Sequence, residues 1–126
     1  MRVVEGQLVV RDARFTIIAA RFNELIVERL VAGAVDALRR HGAEETAIQL
    51  VRVPGAFELP LVARRLARTR RADAIIALGA VIRGQTPHFD FVCSECAAGL
   101  RQVSLEYELP VGFGVLTCDS VDQAMD

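Results

Sequence analysis

The sequence predicts one α/β domain in which a parallel sheet is covered by helices on both faces. Short apolar runs rich in β-branched residues alternate with longer segments whose apolar residues recur at helical spacing. Such alternation favours right-handed crossovers and therefore parallel strands. No linker, repeat or change in composition interrupts the 126 residues, of which 52% are hydrophobic and 25% charged. We therefore expect a single compact domain over residues 1–126.

The first half of the chain predicts two strands and two helices. Strands are expected at Arg14–Ala20 and Ala47–Val53, because both runs are apolar and β-branched. The first strand leads into a helix at Glu24–Arg40, which Asn23 can cap. A second helix is expected at Glu58–Arg70, after a Pro-Gly pair that ends the second strand.

The second half continues the same order. Strands are predicted at Ala74–Leu78 and Val111–Thr117, on either side of a helix at Pro87–Tyr107. The N-terminal run Val3–Val10 has no helix between it and the next strand. We expect it to form an additional edge strand, of the kind that can pair with a neighbouring subunit.

Composition and charge exclude several functional classes. The net charge of -1 and pI near 6.1 are not those of a general nucleic-acid binder. All fifteen basic residues are Arg, so no lysine can serve a Schiff base, a P-loop or pyridoxal phosphate. Charged residues interrupt the first residues of the chain, whereas a signal peptide has an uninterrupted apolar stretch. The three cysteines show no evident pairing into disulfides. We expect a protein of the reducing cytoplasm with no membrane partner.

The segment Gly79–His88 is the strongest candidate for chemistry. Ligands of parallel sheets bind beyond the carboxyl ends of the strands, and this segment follows the third predicted strand. Thr86 has the chemistry of an N-cap and Pro87 that of a first helical residue, so the helix N-terminus would offer an anion site at Gln85–His88. The same helix end disfavours a protonated His88, which could then accept a proton. The alternative is a plain capped helix with a surface histidine.

Three other loops lie at the same predicted edge, at Ala20–Asn23, Pro54–Glu58 and Phe113–Ser120. Glu58 is either a carboxylate stabilised by a helix N-terminus or an acceptor for ligand hydroxyls. Phe22 and Phe57 are either core residues or platforms for a flat ring.

Cys93 and Cys96 form a C-x-x-C pair inside a helix rather than at its start, where a redox pair belongs. Too few other ligands accompany them for a structural zinc site. We expect buried helix cysteines and no metal.

Four motifs together resemble the lumazine synthase family: ARFN at 20–23, VPGAFELP at 53–60, LGAVIRGQTPHFD at 78–90 and FGVLT at 113–117. The resemblance covers nearly the whole chain. It implies a flavodoxin-like three-layer α/β/α sandwich and a homo-oligomer, either a pentamer or a shell of pentamers, with active sites shared between subunits. It also implies condensation of 5-amino-6-(D-ribitylamino)uracil with 3,4-dihydroxy-2-butanone 4-phosphate to 6,7-dimethyl-8-ribityllumazine, without a cofactor.

The resemblance assigns a role to residues in each motif. Phe22 would stack on the pyrimidine, and His88 would transfer protons. Phe113 would close over the ring in the neighbouring subunit's site. The remaining ligand contacts fall in three groups: the ribityl site at Ala56, Phe57 and Glu58, the ring edge at Ala80, Val81 and Ile82, and the phosphate site at Gln85 and Thr86.

The chain ends at Asp126, whereas members of the family continue with a phosphate-binding arginine and a long helix. We therefore expect this chain to lack the C-terminal helix of the family. Ser120 and Gln123 form a capping box that predicts a helix start.

Two alternatives remain at this level. One is a non-catalytic member of the same fold that binds flavin or forms a shell. The other is an FMN protein, for which a Ser/Thr/Gly-rich loop should follow the first strand, where ARFN stands instead.

Overall fold

A computed structural model describes all 126 residues, and its element order follows the predicted alternation. Helix α1 has the predicted bounds, and the other long elements differ from prediction mainly at their ends. The elements are β1 (Phe15–Ala20), α1 (Glu24–Arg40), β2 (Ile48–Val53), α2 (Leu59–Thr69), β3 (Ala74–Ile82), α3 (His88–Tyr107), β4 (Val111–Cys118) and α4 (Val121–Met125), with short 3₁₀ turns at Glu45–Ala47 and Ala56–Glu58.

The four strands form one parallel sheet in the order β2-β1-β3-β4. The chain leaves β1 toward one side to form β2 and then returns to the other side to form β3. The strand order therefore reverses between β1 and β3, and loops leaving their carboxyl ends diverge there. Such a crevice is where parallel α/β folds bind ligands.

Two apolar layers hold the helices against the sheet. On one face, α2 and α3 pack over Ile18 and its neighbours. On the other face, α1 packs over Ile17, and α4 adds Ala124 at the margin. Ile17 and Ile18 are both fully buried although they point to opposite faces, as expected for a central strand with both faces covered. The three-layer α/β architecture is thus confirmed.

The N-terminal segment differs from the prediction, because Val3–Val10 forms no strand in this chain. Its end lies against the C-terminus of α1 instead. The Val10 N–H donates to the His41 carbonyl at 2.7 Å, and His41 Nδ1 is 2.7 Å from the Leu8 carbonyl oxygen. Because these groups bond at a helix end, the segment joins neither edge of the sheet, and an additional edge strand within the chain is wrong.

The predicted helix start at Ser120 is confirmed. The Ser120 hydroxyl accepts from the Gln123 N–H at 3.2 Å, and Gln123 Oε1 accepts from the Asp119 N–H at 2.7 Å. These two bonds satisfy backbone donors at the start of α4, as in a capping box. None of the helices combines the length and apolar character that crossing a bilayer requires.

Candidate active site

A cavity of about 910 Å³ lies at the carboxyl ends of β1, β2 and β3. Its wall is mostly apolar, with a few polar groups, which is typical of a small-molecule site. Three of the four predicted loops contribute to it. The lining residues are Phe22, Pro54, Gly55, Ala56, Phe57, Glu58, Ala80, Val81, Ile82, Gly84, Thr86, His88, Phe89, Phe91 and Val92.

Both aromatic side chains predicted as ring platforms line the cavity and are largely exposed. Phe22 is 72% exposed and Phe57 is 59% exposed, so neither is a core residue. Backbone bonds from Arg21 to Val53 and from Phe22 to Pro54, at 2.8 and 3.0 Å, join the two loops that carry them. Exposed rings beside a ligand cavity favour the ring-platform interpretation over core packing.

Asn23 does not cap α1 as predicted. Its backbone is left-handed (φ 60°), and its side-chain Nδ2 donates to the Ala80 carbonyl at 2.7 Å. The left-handed conformation, which asparagine tolerates, turns the side chain away from the helix start. The result is a bond between the ends of β1 and β3, which brings Phe22 beside Ala80–Ile82.

Glu58 ends the 3₁₀ turn at the start of α2 and is half-buried in the cavity wall. No basic side chain of the chain forms an ion pair with it. Its carboxylate is therefore available to accept hydrogen bonds from a ligand. Ala56, at the other end of the turn, is buried and lines the same wall.

The loop after β3 brings Thr86 and His88 to the cavity at the N-terminus of α3. The predicted cap is displaced by one residue: Pro87 is the N-cap, the helix begins at His88, and Thr86 Oγ1 accepts weakly from the His88 N–H at 3.4 Å. Thr86 lies outside the helix because the Pro87 backbone is not yet fully helical (ψ 3°). Gln85 is exposed in the same loop and is not among the residues that line the cavity.

Phe113 lies elsewhere. It is near the start of β4, opposite Ala77 of β3, so its prediction as part of a loop at the carboxyl edge is wrong. β4 continues as far as Cys118 because its pairing with β3 does. Phe113 is 49% exposed and does not line the cavity of its own chain.

The chain is similar to known proteins over nearly its whole length. The family model described as 6,7-dimethyl-8-ribityllumazine synthase matches residues 12–126. A curated protein named 6,7-dimethyl-8-ribityllumazine synthase from Nitratidesulfovibrio vulgaris (strain DSM 19637 / Miyazaki F) is 56% identical over 126 residues, which are 100% of this chain and 81% of the relative.

The chain belongs to the lumazine synthase family. The resemblance inferred from the four motifs is confirmed, and with it the class of protein: a transferase of riboflavin biosynthesis.

The cavity also contains residues that the sequence motifs did not predict. Phe91 is 67% exposed and follows His88 by three positions, so both lie on one face of the first turns of α3. Phe89, between them, is buried. The helical spacing from His88 was the available signal for Phe91.

The three cysteines of the chain are free thiols, and burial raises the pKa of Cys96 to about 11. Burial also raises the pKa of Cys93. Cys96 is fully buried in α3, so the prediction of a buried helix cysteine is confirmed there, while Cys93 is half-buried. No three His, Cys, Asp or Glu side chains are grouped so that they could hold a metal ion.

Proposed function

We propose that the chain condenses 5-amino-6-(D-ribitylamino)uracil with 3,4-dihydroxy-2-butanone 4-phosphate, giving 6,7-dimethyl-8-ribityllumazine, phosphate and water, and that residues 1–126 act as one domain. The observation that carries the proposal is that a single cavity unites an exposed aromatic ring, an unpaired carboxylate and the N-terminus of a long helix bearing a histidine. The aromatic ring suits a flat pyrimidine, and the carboxylate suits the hydroxyls of a ribityl chain. The helix N-terminus suits a phosphate, and the histidine can transfer a proton.

The pyrimidine substrate occupies the side of the cavity formed by β1, β2 and β3. Phe22 stacks on the ring, and backbone groups of Ala80, Val81 and Ile82 bind its edge. The ribityl chain extends along Ala56 and Phe57, and its hydroxyls donate to the Glu58 carboxylate. The support is that Phe22 is exposed and that Glu58 has no internal ion pair.

The phosphate of the second substrate lies at the start of α3, near Gln85 and Thr86. The 20 residues of α3 give its N-terminus a positive dipole, which favours an anion. The Thr86 hydroxyl, held only by a 3.4 Å contact, is free to turn and donate to a phosphate oxygen.

His88 transfers protons and does not attack a substrate. The 5-amino group of the pyrimidine adds to the ketone carbonyl, and loss of water gives an imine. Loss of a carbon-bound proton and of phosphate follows, and the ribityl-bearing nitrogen then closes the second ring with loss of another water. His88 is the first residue of α3 and lines the cavity, where its side chain can accept and return these protons. The substrate supplies its own amine, so neither an enzyme lysine nor a cofactor is required.

The active form is a cytoplasmic homo-oligomer, a pentamer or a shell of pentamers, whose sites are shared. Phe113 is exposed outside its own cavity, as a residue serving a neighbouring site would be. The exposed apolar Val3–Val10 segment can pair with a neighbouring sheet edge. Native mass spectrometry should find the oligomer at micromolar concentration. Mixed and reassembled His88→Ala and Phe113→Ala chains should regain activity that neither has alone, and failure to do so would contradict the shared site.

The test of the reaction is the appearance of lumazine fluorescence when both substrates are added, with the uncatalysed rate subtracted. Thr86→Val should raise the KM for the phosphorylated substrate by roughly 10-fold, since a bond to a charged group is worth about 1.5 kcal/mol or more. Thr46→Val is the matched control, because Thr46 is exposed in the 3₁₀ turn before β2, outside the cavity. Riboflavin binding without turnover would instead identify a non-catalytic, flavin-binding member of the family.

A further inference from the structure

Arg83 lies between the sheet and the loop of the anion site. It is the first residue after β3, and its backbone N–H donates to the Cys118 carbonyl at 2.9 Å, which extends the pairing with β4 by one bond. The four residues that follow it, 84–87, form the loop that leads to His88. Arg83 is therefore the last residue anchored to the sheet before the chain enters the site.

The Arg83 guanidinium contacts two further segments. Its Nε donates to Asp119 Oδ1 at 2.8 Å, in the turn after β4, and its Nη1 donates to Asp90 Oδ1 at 3.5 Å, in the first turn of α3. Its central carbon lies 4.3 Å from the centre of the Phe89 ring. A planar guanidinium can make all three contacts at once, because its donors diverge in the plane while its face stacks on a ring.

These contacts connect the two ends of the loop 84–87, which leads to the proposed anion site. Arg83 precedes the loop and Asp90 follows it, so their bond closes the segment 84–89 on itself. Asp119 connects this closed segment to the far end of β4. Phe89 is 8% exposed and lines the cavity, so the stacking also holds one wall of the site.

The guanidinium of Arg83 makes its contacts within the chain rather than in the cavity. Arg83 is not among the residues that line the cavity, and its guanidinium forms ion pairs with the carboxylates of Asp90 and Asp119. Hydrogen bonding to Asp119, assisted by the charges of Asp90 and Asp119, raises the pKa of Arg83 above its usual value.

We propose that Arg83 is a positioning residue that fixes the loop 84–87 and the first turn of α3, so that Thr86 and His88 meet the phosphorylated substrate in the productive geometry. The proposal rests on the proposed function, since it names a determinant of the same site. Loss of Arg83 should weaken the use of the phosphorylated substrate only, because Phe22 and Glu58, which contact the pyrimidine substrate, belong to other loops.

The test compares Arg83→Met with Arg83→Lys and with the control Arg64→Met. Arg64 makes a similar set of contacts at the opposite end of α3: an ion pair to Glu106 at 3.2 Å and a position over the Tyr107 ring at 5.9 Å. Arg83→Met should lower kcat/KM for the phosphorylated substrate by about 10- to 100-fold, the cost of a misplaced reacting group, and leave the KM for the pyrimidine within about two-fold. Arg83→Lys should recover only part of the loss, since an ammonium cannot hold both carboxylates and the ring.

A second measurement does not depend on turnover. Backbone N–H groups of residues 88, 90 and 91 are hydrogen-bonded at the start of α3, so their hydrogen exchange reports its order. Exchange at residues 88–91 should be at least about 10-fold faster in Arg83→Met and unchanged in Arg64→Met.

Unchanged kinetics and exchange in Arg83→Met, an equal rise of both KM values, or equal losses in the two Met variants would overturn the proposal. If the wild-type chain makes no lumazine, the proposed function fails while the exchange comparison still decides the role of Arg83.

Discussion

Helices α2 and α3 approach each other closely at Pro60 and Gly99, and Gly99→Ala tests this packing. Both helices begin at the cavity, which is lined by Glu58 just before α2 and by His88 at the start of α3. A Cβ added to Gly99 would lie 2.6 Å from Pro60 Cβ and 2.7 Å from Pro60 Cγ. Ordinary contacts begin at 3.4 Å, so the new methyl would be about 0.8 Å too close to a rigid ring.

The expected cost follows from two opposing effects. Replacing a helical glycine by alanine favours the helix by about 1 kcal/mol. Overpacking a well-filled interface costs typically about 1–3 kcal/mol, and the proline ring cannot rotate away as a flexible side chain could. Gly99→Ala should therefore lower the free energy of unfolding by up to about 2 kcal/mol, despite its better helix propensity.

The assay is urea unfolding at one fixed protein concentration, with Gly33→Ala as the matched control. Gly33 lies inside α1 with no atom within 4 Å of its added Cβ, so the same substitution should stabilise the chain by about 0.5–1 kcal/mol. If Gly99→Ala proves as stable as Gly33→Ala, the close packing of α2 on α3 and the reasoning from it are wrong.

Three further predictions follow from the site and its surroundings. His88→Ala should lower kcat by roughly 10- to 10⁴-fold, the range for losing an acid–base group, and an unchanged pH–rate profile would remove His88 from the mechanism. The Arg14 backbone N–H, 2.7 Å from Asp73 Oδ2, lowers the pKa of the Asp73 carboxyl. The ionised carboxylate therefore stabilises the fold fully when the pH is above the usual pKa of Asp. This stabilisation is lost as the pH falls through the lowered pKa. Asp73→Asn should therefore reduce Tm at pH 7, and the difference should shrink below pH 3.8; a difference independent of pH would contradict this. Cys96, buried and with a raised pKa, should react with a thiol reagent far more slowly than Cys93, as Cys96→Ser and Cys93→Ser chains would show.

Local patterns predicted most of the fold. The bounds of α1 are those predicted, because its amphipathic period and basic C-terminal turn are encoded within the helix itself. β3 is four residues longer than predicted. A glycine at position 79 suggested an end, but the strand continues to Ile82 because β4 pairs with it as far as Cys118. Pairing with a distant strand, which no local window contains, outweighed the local signal.

The sequence alone determined the order of the elements, the parallel sheet and the loops that carry Phe22, Glu58, Thr86 and His88. These depend on periodicity and on the handedness of crossovers, which are local or general properties of the chain.

Tertiary structure alone decided which side chains meet. In the folded chain the Asn23 side chain donates to the Ala80 carbonyl instead of capping α1. The Arg83 side chain donates to Asp119, 36 positions away. The fold also leaves Phe113 outside the cavity. These contacts depend on strand order and register, which bring distant residues within bonding distance and which no local pattern specifies.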